Sequence, residues 1–361
     1  MRFFVTGGAG FIGSNYVRHL LATDPEAEVT NFDKLTYAGN RASVADLEDD
    51  PRHRFVQGDI CDAALVGEVL PGHDVVVNFA AETHVDRSIV EPLEAVRTNT
   101  VGVATLAEAA RAAGVGRLLQ VGTDEEYGTI SDGSFRETDR LEPSSPYSAG
   151  KAGGSLVALA YATTHKLDVV VTRCTNNYGP YQFPEKVIPL FVTNLLDGHK
   201  VPLYGTGGNV RDWLYVVDHC AAIDLVLRRG QTGGVYNIGA GNEVSNLELT
   251  RRILDAFGVG EEMIEYVPDR PGHDWRYSLD ATRVRELGWA PAHDFDAGLA
   301  ETIAWYQDHQ DWWRPMKPAE ATRTLQVGRP GGPGGVRRGP GDPKGVPRWT
   351  KPSPPAAWDQ D

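Results

Sequence analysis

Along the first half of the chain, short runs of Val, Leu and Phe alternate with longer stretches whose apolar residues recur at helical spacing. Phe3–Thr6, Val29–Asp33, Arg54–Gln57, Val75–Asn78, Leu118–Val121 and Val169–Thr172 read as strands. Several are unbroken apolar runs, as expected of strands covered on both faces. Between them the spacing predicts helices over Phe11–Leu21, Ala63–Leu70, Leu93–Ala113 and Tyr147–His165. This alternation predicts an α/β fold with a Rossmann-type, doubly wound parallel sheet. The last two helices carry apolar and small residues on more than one face, a pattern that fits burial against a second subunit as well as against the sheet.

After about Asn176 the rhythm changes. Helices are predicted over Val187–Asp197, Val216–Leu227, Asn246–Phe257 and Phe295–His309, with short strands at Val201–Tyr204 and Val235–Ile238. The expected organisation is a main domain over residues 1–175, to which later elements return, and a smaller C-terminal α/β substrate domain over 176–317. Residues 318–361 hold nine Pro and eight Gly with almost no apolar periodicity, so their composition predicts disorder.

A formal charge of -14 argues against a nucleic-acid partner, although a local Arg/Lys cluster can still hold an anionic ligand. No apolar run approaches the length of a membrane span, and the N-terminus enters a strand and glycine turn directly, without a signal-peptide pattern. A cytoplasmic protein is expected. Cys61, Cys174 and Cys220 are odd in number and far apart, which points to free thiols rather than disulfides or a metal site.

The chemistry begins at Gly7-Gly8-Ala9-Gly10-Phe11-Ile12-Gly13, between the first predicted strand and helix. Glycines in that context allow a tight turn, close approach to a pyrophosphate and close helix packing, while the helix N-terminus supplies donors. Asp33 follows Gly13 by 20 residues at the end of the second strand. A carboxylate there binds the adenosine ribose and repels a 2′-phosphate, so NAD is expected rather than NADP. Asp59 and Ile60, closing the third strand, are placed to frame the adenine.

Thr123, Asp124 and Glu125 fall at the end of the fifth predicted strand, the edge where open α/β sheets bind ligands. Tyr147 and Lys151 share one face of the next helix. A nearby ammonium and a positive nicotinamide would both lower the tyrosine pKa, so Tyr147 can take a hydroxyl proton while hydride leaves. Thr123 can bond the same hydroxyl. Once a sugar C4 is a ketone its C5 proton is acidic. One carboxylate can remove that proton while a protonated neighbour donates to the departing C6 hydroxyl, and repulsion between adjacent carboxylates helps keep one protonated.

On these residues the chain resembles the extended short-chain dehydrogenase/reductase superfamily and, within it, the dTDP-glucose 4,6-dehydratases. The resemblance runs from Met1 to about Lys317 and includes Ala80–Ser88, Asn176–Tyr181, Pro184–Phe191, Arg211-Asp212-Trp213 and Asp269–His273. It implies a homodimer and dTDP-glucose as substrate. It also implies that Tyr147 serves C4 oxidation, Glu125 takes the C5 proton and Asp124 protonates the leaving hydroxyl. NAD would be held by the glycine loop (Gly7, Gly10, Gly13) with Phe11, Ile12, Asp33, Lys34, Leu35, Thr36, Asp59, Ile60, Ala80, Ala81, Thr83, Thr98, Tyr147, Lys151 and Asn177. Substrate would meet His84, Thr123, Asn176, Lys186, Val187, Pro202, Leu203, Tyr204, Arg211, Asn246, Asp269, Arg270 and His273, with Arg211, Arg270 and Lys186 as the pyrophosphate partners.

There are departures from the family pattern. Gly122 and Gly150 stand in place of serine, Thr83 stands where serine is common, and Glu126 replaces a small apolar residue. Gly150 would loosen its helix by up to about 1 kcal/mol relative to Ala. Continued strand geometry would send Glu126 to the opposite face, yet a third acid could also raise the pKa of its neighbours. Other readings are a UDP-sugar 4-epimerase, another nucleotide-sugar dehydratase, or a non-catalytic NAD-binding sensor. An epimerase needs no acid–base pair for C5 and C6. A sensor would be expected to lose part of the Thr/Asp/Glu/Tyr/Lys set, and all five are present.

Overall fold

The computed structural model describes residues 1–269 and 273–317. Arg270 and the segment 318–361, for which composition predicts disorder, lie outside the described residues. The strands in chain order are β1 (Arg2–Thr6), β2 (Glu28–Asp33), β3 (His53–Gln57), β4 (Val75–Asn78), β5 (Arg117–Thr123), β6 (Val169–Cys174), β7 (Asn176–Tyr178), β8 (Val201–Tyr204), β9 (Val210–Tyr215), β10 (Val235–Ile238), β11 (Glu243–Ser245) and β12 (Ile264–Val267). The helices used below are α1 (Phe11–Thr23), α2 (Ala63–Val69), α3 (Val85–Val90), α4 (Pro92–Val96), α5 (Val103–Ala113), α6 (Pro146–His165), α7 (Val187–Leu196), α8 (Val216–Arg229), α9 (Asn246–Phe257), α10 (Thr282–Glu286) and α11 (Phe295–Asp308).

Seven strands form one parallel sheet in the order β10-β6-β5-β4-β1-β2-β3. The chain reverses direction across the sheet between β1 and β4. That switch point opens a crevice at the carboxyl ends of the strands, where ligands of such sheets bind. Alternation along β1 feeds two cores: Phe3 and Val5 pack with α1 and α8 on one face, while Phe4 packs with α2, α5 and α6 on the other.

A third core gathers residues of α7, α9 and α11 with Val201, Leu203, Trp213 and Tyr215 of β8 and β9. Beside it, β11, β9 and β7 form a three-stranded sheet, and β12 pairs with β8. Residues after 176 therefore build a separate apolar layer and also return β10 to the main sheet. β7 and β11 do not stand out in the apolar pattern because each has three residues, two of them polar; Arg211 and Asp212 interrupt β9, and β12 has only four residues.

The helix predicted over Leu93–Ala113 is divided. α4 and α5 are joined by a π-helical segment, Arg97–Gly102. Inside it the buried Asn99 side chain bridges Glu82, accepting from its N–H and donating to its carbonyl, while Thr100 Oγ1 donates to Gly150 O at 2.9 Å. Such a local widening of the helix often accompanies functional positions. Gly154 of α6 lies against the same segment, where a Cβ would stand 2.2 Å from Asn99 O.

Candidate active site

β1 runs directly into the glycine loop. A Cβ on Gly7, which has φ of 70°, would lie 2.6 Å from Ala80 N, and one on Gly13 would lie 2.2 Å from Gly7 O. Only glycine fits this path, which keeps the loop low over the sheet edge. Gly10 caps α1 without a side-chain bond, so the first-turn N–H groups remain available to an anion. The buried Asp33 carboxylate accepts from Ala9 N at 2.9 Å and Leu35 N at 2.7 Å. Lys34 Nζ pairs with Asp59 Oδ2 at 2.9 Å.

These groups line one cleft, together with every cofactor-binding residue expected from sequence except Leu35. Leu35 sits one step behind. Its φ of 56° is left-handed and turns its N–H onto Asp33, so it positions the carboxylate. The donor-rich helix start, the low glycine loop and the carboxylate beyond it fit an NAD molecule.

The residues expected to be catalytic, Thr123, Asp124, Glu125, Tyr147 and Lys151, all line the same cleft. Pro146 opens α6 and Ser145 caps it in a reciprocal box with Ser148, which fixes Tyr147 in the first turn. β5 ends at Thr123, and a 3₁₀ turn over Asp124–Glu126 presents the acid pair.

Asp124 is 2% exposed, and burial, then the Glu125 charge, push its carboxyl well above the usual range. Both causes favour the neutral carboxyl, the form that can donate a proton. Thr123 Oγ1 donates to its Oδ1 at 3.1 Å, and Oδ2 is buried with no protein partner among the described residues. The Glu125 charge acts in the expected sense, with burial as the larger cause.

Tyr147 differs from expectation. Burial, then the charges of Glu125, Cys174 and Asp124, raise its phenol pKa rather than lower it. Lys151 Nζ donates to Val121 O at 2.6 Å, and burial lowers the amine's own pKa. The protein alone therefore holds Tyr147 as a phenol, and activation depends on positive charge brought by a ligand.

Glu126 also departs from its extended-strand expectation. The 3₁₀ turn ends strand geometry at Thr123, and Glu126 folds back, fully buried, onto Arg173 at 2.7 Å. Its charge is the smallest of those that raise the Tyr147 pKa. Gly150 is also more than a loosened helix position: a Cβ there would approach Ala95 O to 3.1 Å, so its absence lets α6 pack closely on α4.

Of the expected substrate residues, Thr123, Asn176 and Lys186 line the cleft, with Lys186 Nζ donating to Thr83 O at 2.8 Å. The others lie outside its lining. His84 caps α3 and Val187 opens α7. Asn246 opens α9, and Pro202 and Leu203 pair with β12. Tyr204, Asp269 and His273 form one cluster, with His273 Nδ1 2.7 Å from Asp269 Oδ1 and the Tyr204 ring edge-on to the imidazole. Arg211 lies over the Tyr277 ring at 4.3 Å and donates to Asp274 O, and its charge acts on Asp124.

Cys174, Gln182 and Phe183 also line the cleft and are absent from the expected site. Cys174 was accessible to strand register, since it ends β6 directly opposite Thr123. The three cysteines are free, with Cys174 and Cys220 buried. No helix among the described residues is long and apolar enough to cross a membrane.

Comparison with known proteins agrees with this geometry. The family described as GDP-mannose 4,6 dehydratase matches residues 4–302. A dTDP-glucose 4,6-dehydratase of Streptomyces niveus is 56% identical over 328 residues, covering 89% of this chain and 98% of that protein. The crystal structure of DesIV, a dTDP-glucose 4,6-dehydratase from Streptomyces venezuelae with NAD bound, superimposes with a TM-score of 0.86 at 55% identity, covering 88% of this chain and 100% of that one. A Thermus thermophilus UDP-glucose 4-epimerase with NAD shares the fold at a TM-score of 0.79 but only 33% identity, covering 86% of this chain and 100% of that one. The chain belongs to the GDP-mannose 4,6-dehydratase family and, within it, to the dTDP-glucose 4,6-dehydratases.

Proposed function

We infer that this chain is an NAD-dependent hydro-lyase that converts dTDP-glucose to dTDP-4-keto-6-deoxyglucose and water. One observation carries the reading: a buried Asp124, its carboxyl pushed toward the neutral form, stands beside Glu125 in the same cleft as Tyr147 and the glycine loop. An epimerase has no use for that acid. When bound, NAD accepts the C4 hydride and later returns it to C6.

The chain's own residues do the remainder. Thr123 and Tyr147 hold the C4 hydroxyl, and Tyr147 takes its proton. Glu125 removes the C5 proton, made acidic by the C4 carbonyl. Asp124 donates through its buried carboxyl to the C6 hydroxyl, which departs as water. Lys186 and Arg211 supply positive charge for the pyrophosphate. Residues 1–175 serve as the NAD domain and 176–317 as the nucleotide-sugar domain.

The working form is a homodimer in the cytoplasm. Ile89 of α3, Leu93 and Val96 of α4, Val101 of the π segment and Leu156 of α6 are all exposed. They lie on adjoining helices, a concentration of apolar surface that suits a second copy of this chain.

The deciding experiment incubates the purified protein with dTDP-glucose in deuterated water, without added NAD, and reads the product by mass spectrometry. Loss of one water with gain of one deuterium at C5 is expected. Unchanged substrate even after NAD is supplied would sink the reading.

A further inference from the structure

Glu126 follows the acid pair and is fully buried, in a place where the resemblance leads one to expect a small apolar residue. Three donors meet its carboxylate. Oε1 accepts from Ser155 Oγ at 2.9 Å and from Thr123 N at 3.3 Å, and Oε2 accepts from Arg173 Nε at 2.7 Å. They belong to three elements: α6, the end of β5, and β6. Arg173, 3% exposed, continues through Nη1 to Tyr127 Oη at 2.8 Å, and Tyr127 donates to Asn237 Oδ1 of β10 at 2.9 Å. Ser155 follows Lys151 by one helical turn, on the face that also carries Tyr147.

Gly122 belongs to the same feature. A Cβ there would lie 2.5 Å from Glu126 Oε1 and 2.7 Å from Thr172 O. The two departures from the family pattern are thus one arrangement, in which the missing side chain at 122 leaves room for the carboxylate. Stability alone does not account for it, because apolar residues of similar volume often serve as well as a buried ion pair.

We propose that Glu126 is a positioning residue whose carboxylate joins the turn bearing Asp124 and Glu125 to the helix bearing Tyr147 and Lys151. The joint sets the spacing between the oxidation half of the site and its elimination half. Electrostatics act in the same sense. Burial lowers the Lys151 amine pKa, and the Glu126 charge is the first of those opposing it. The proposal rests on the dehydratase reading above.

The test compares wild type, S155A and E126Q by steady-state kinetics with dTDP-glucose, by retained NAD, and by amide hydrogen exchange. S155A cuts the tie to α6 and leaves the Glu126–Arg173 pair intact, so it decides the matter if E126Q fails to fold. Expected for S155A is a fall in kcat of about tenfold, with KM within about threefold and NAD content unchanged, as for a small misplacement of reacting groups. A fall of about a hundredfold is expected for E126Q. Exchange should quicken across residues 121–128 and stay constant in β2. Wild-type kcat with unchanged exchange in S155A overturns the proposal, as does activity lost only in step with NAD or folded protein. Failure of the wild type to turn over dTDP-glucose defeats the reading instead, and the exchange comparison still decides whether Glu126 holds the turn.

Discussion

At the residue scale, the site depends on two neighbouring carboxyls in unlike surroundings. Asp124 is buried, which raises its pKa, and its Oδ2 lacks a protein partner among the described residues, whereas the adjoining Glu125 is partly exposed. D124N keeps the shape and removes the proton donor. Its kcat should fall 10²–10⁴-fold, the usual worth of a positioned acid. The pKa of Asp124 is raised, so the donor is present at low pH and lost as pH rises through the raised value. Wild-type kcat should therefore decline on the alkaline side, and the residual rate of D124N should lack that limb. A pH profile of both proteins checks this.

At the element scale, α6, which carries Tyr147 and Lys151, is held by close backbone approach. Gly154 faces Asn99 O with no room for a Cβ, and the π segment it touches contributes Thr98 to the cleft. G154A should cost about 1–3 kcal/mol through overpacking, and should weaken NAD retention by displacing Thr98. G67A in α2 is the control, since a Cβ there meets nothing within 4 Å and a small gain in stability follows. Thermal unfolding and the NAD content of the purified proteins report both effects. The helix over Leu93–Ala113 was legible as an apolar period. Its π segment was not, because it follows from Asn99 and Thr100 bonding to Glu82 and Gly150, distant in sequence.

At the scale of the whole molecule, acid and assembly are the two levers. His219 is fully buried, its Nδ1 2.8 Å from Asn177 Oδ1, and burial lowers its pKa to about 3. A depressed folded pKa gives stability that is present above the unfolded value, about 6.5, and is lost as pH falls from there toward 3. Lowering pH from 7 to about 5 should cost about 2 kcal/mol through this group alone. Urea unfolding at both values should show a smaller loss in H219Q than in wild type. For assembly, Leu93 is 80% and Leu156 55% exposed. L93E combined with L156E should shift a dimer to monomer in analytical ultracentrifugation, and an unchanged mass would exclude that helical face as the interface.

The sequence by itself determined the sheet, the glycine loop, Asp33 and the five residues, Thr123, Asp124, Glu125, Tyr147 and Lys151, that the cleft brings together. Each of these follows from local spacing: strand–helix alternation, glycines at a strand-to-helix turn, and a tyrosine and lysine one helical turn apart. Tertiary structure alone decided the rest. Leu35 acts behind the cleft because of its backbone twist, Cys174 enters because β6 pairs beside β5, and Tyr147 stays a phenol because burial outweighs a lysine turned toward Val121 O. Glu126 shows the difference most plainly. Its identity is local, but its partners Ser155 and Arg173 come from elements that meet it only when the sheet and α6 pack together.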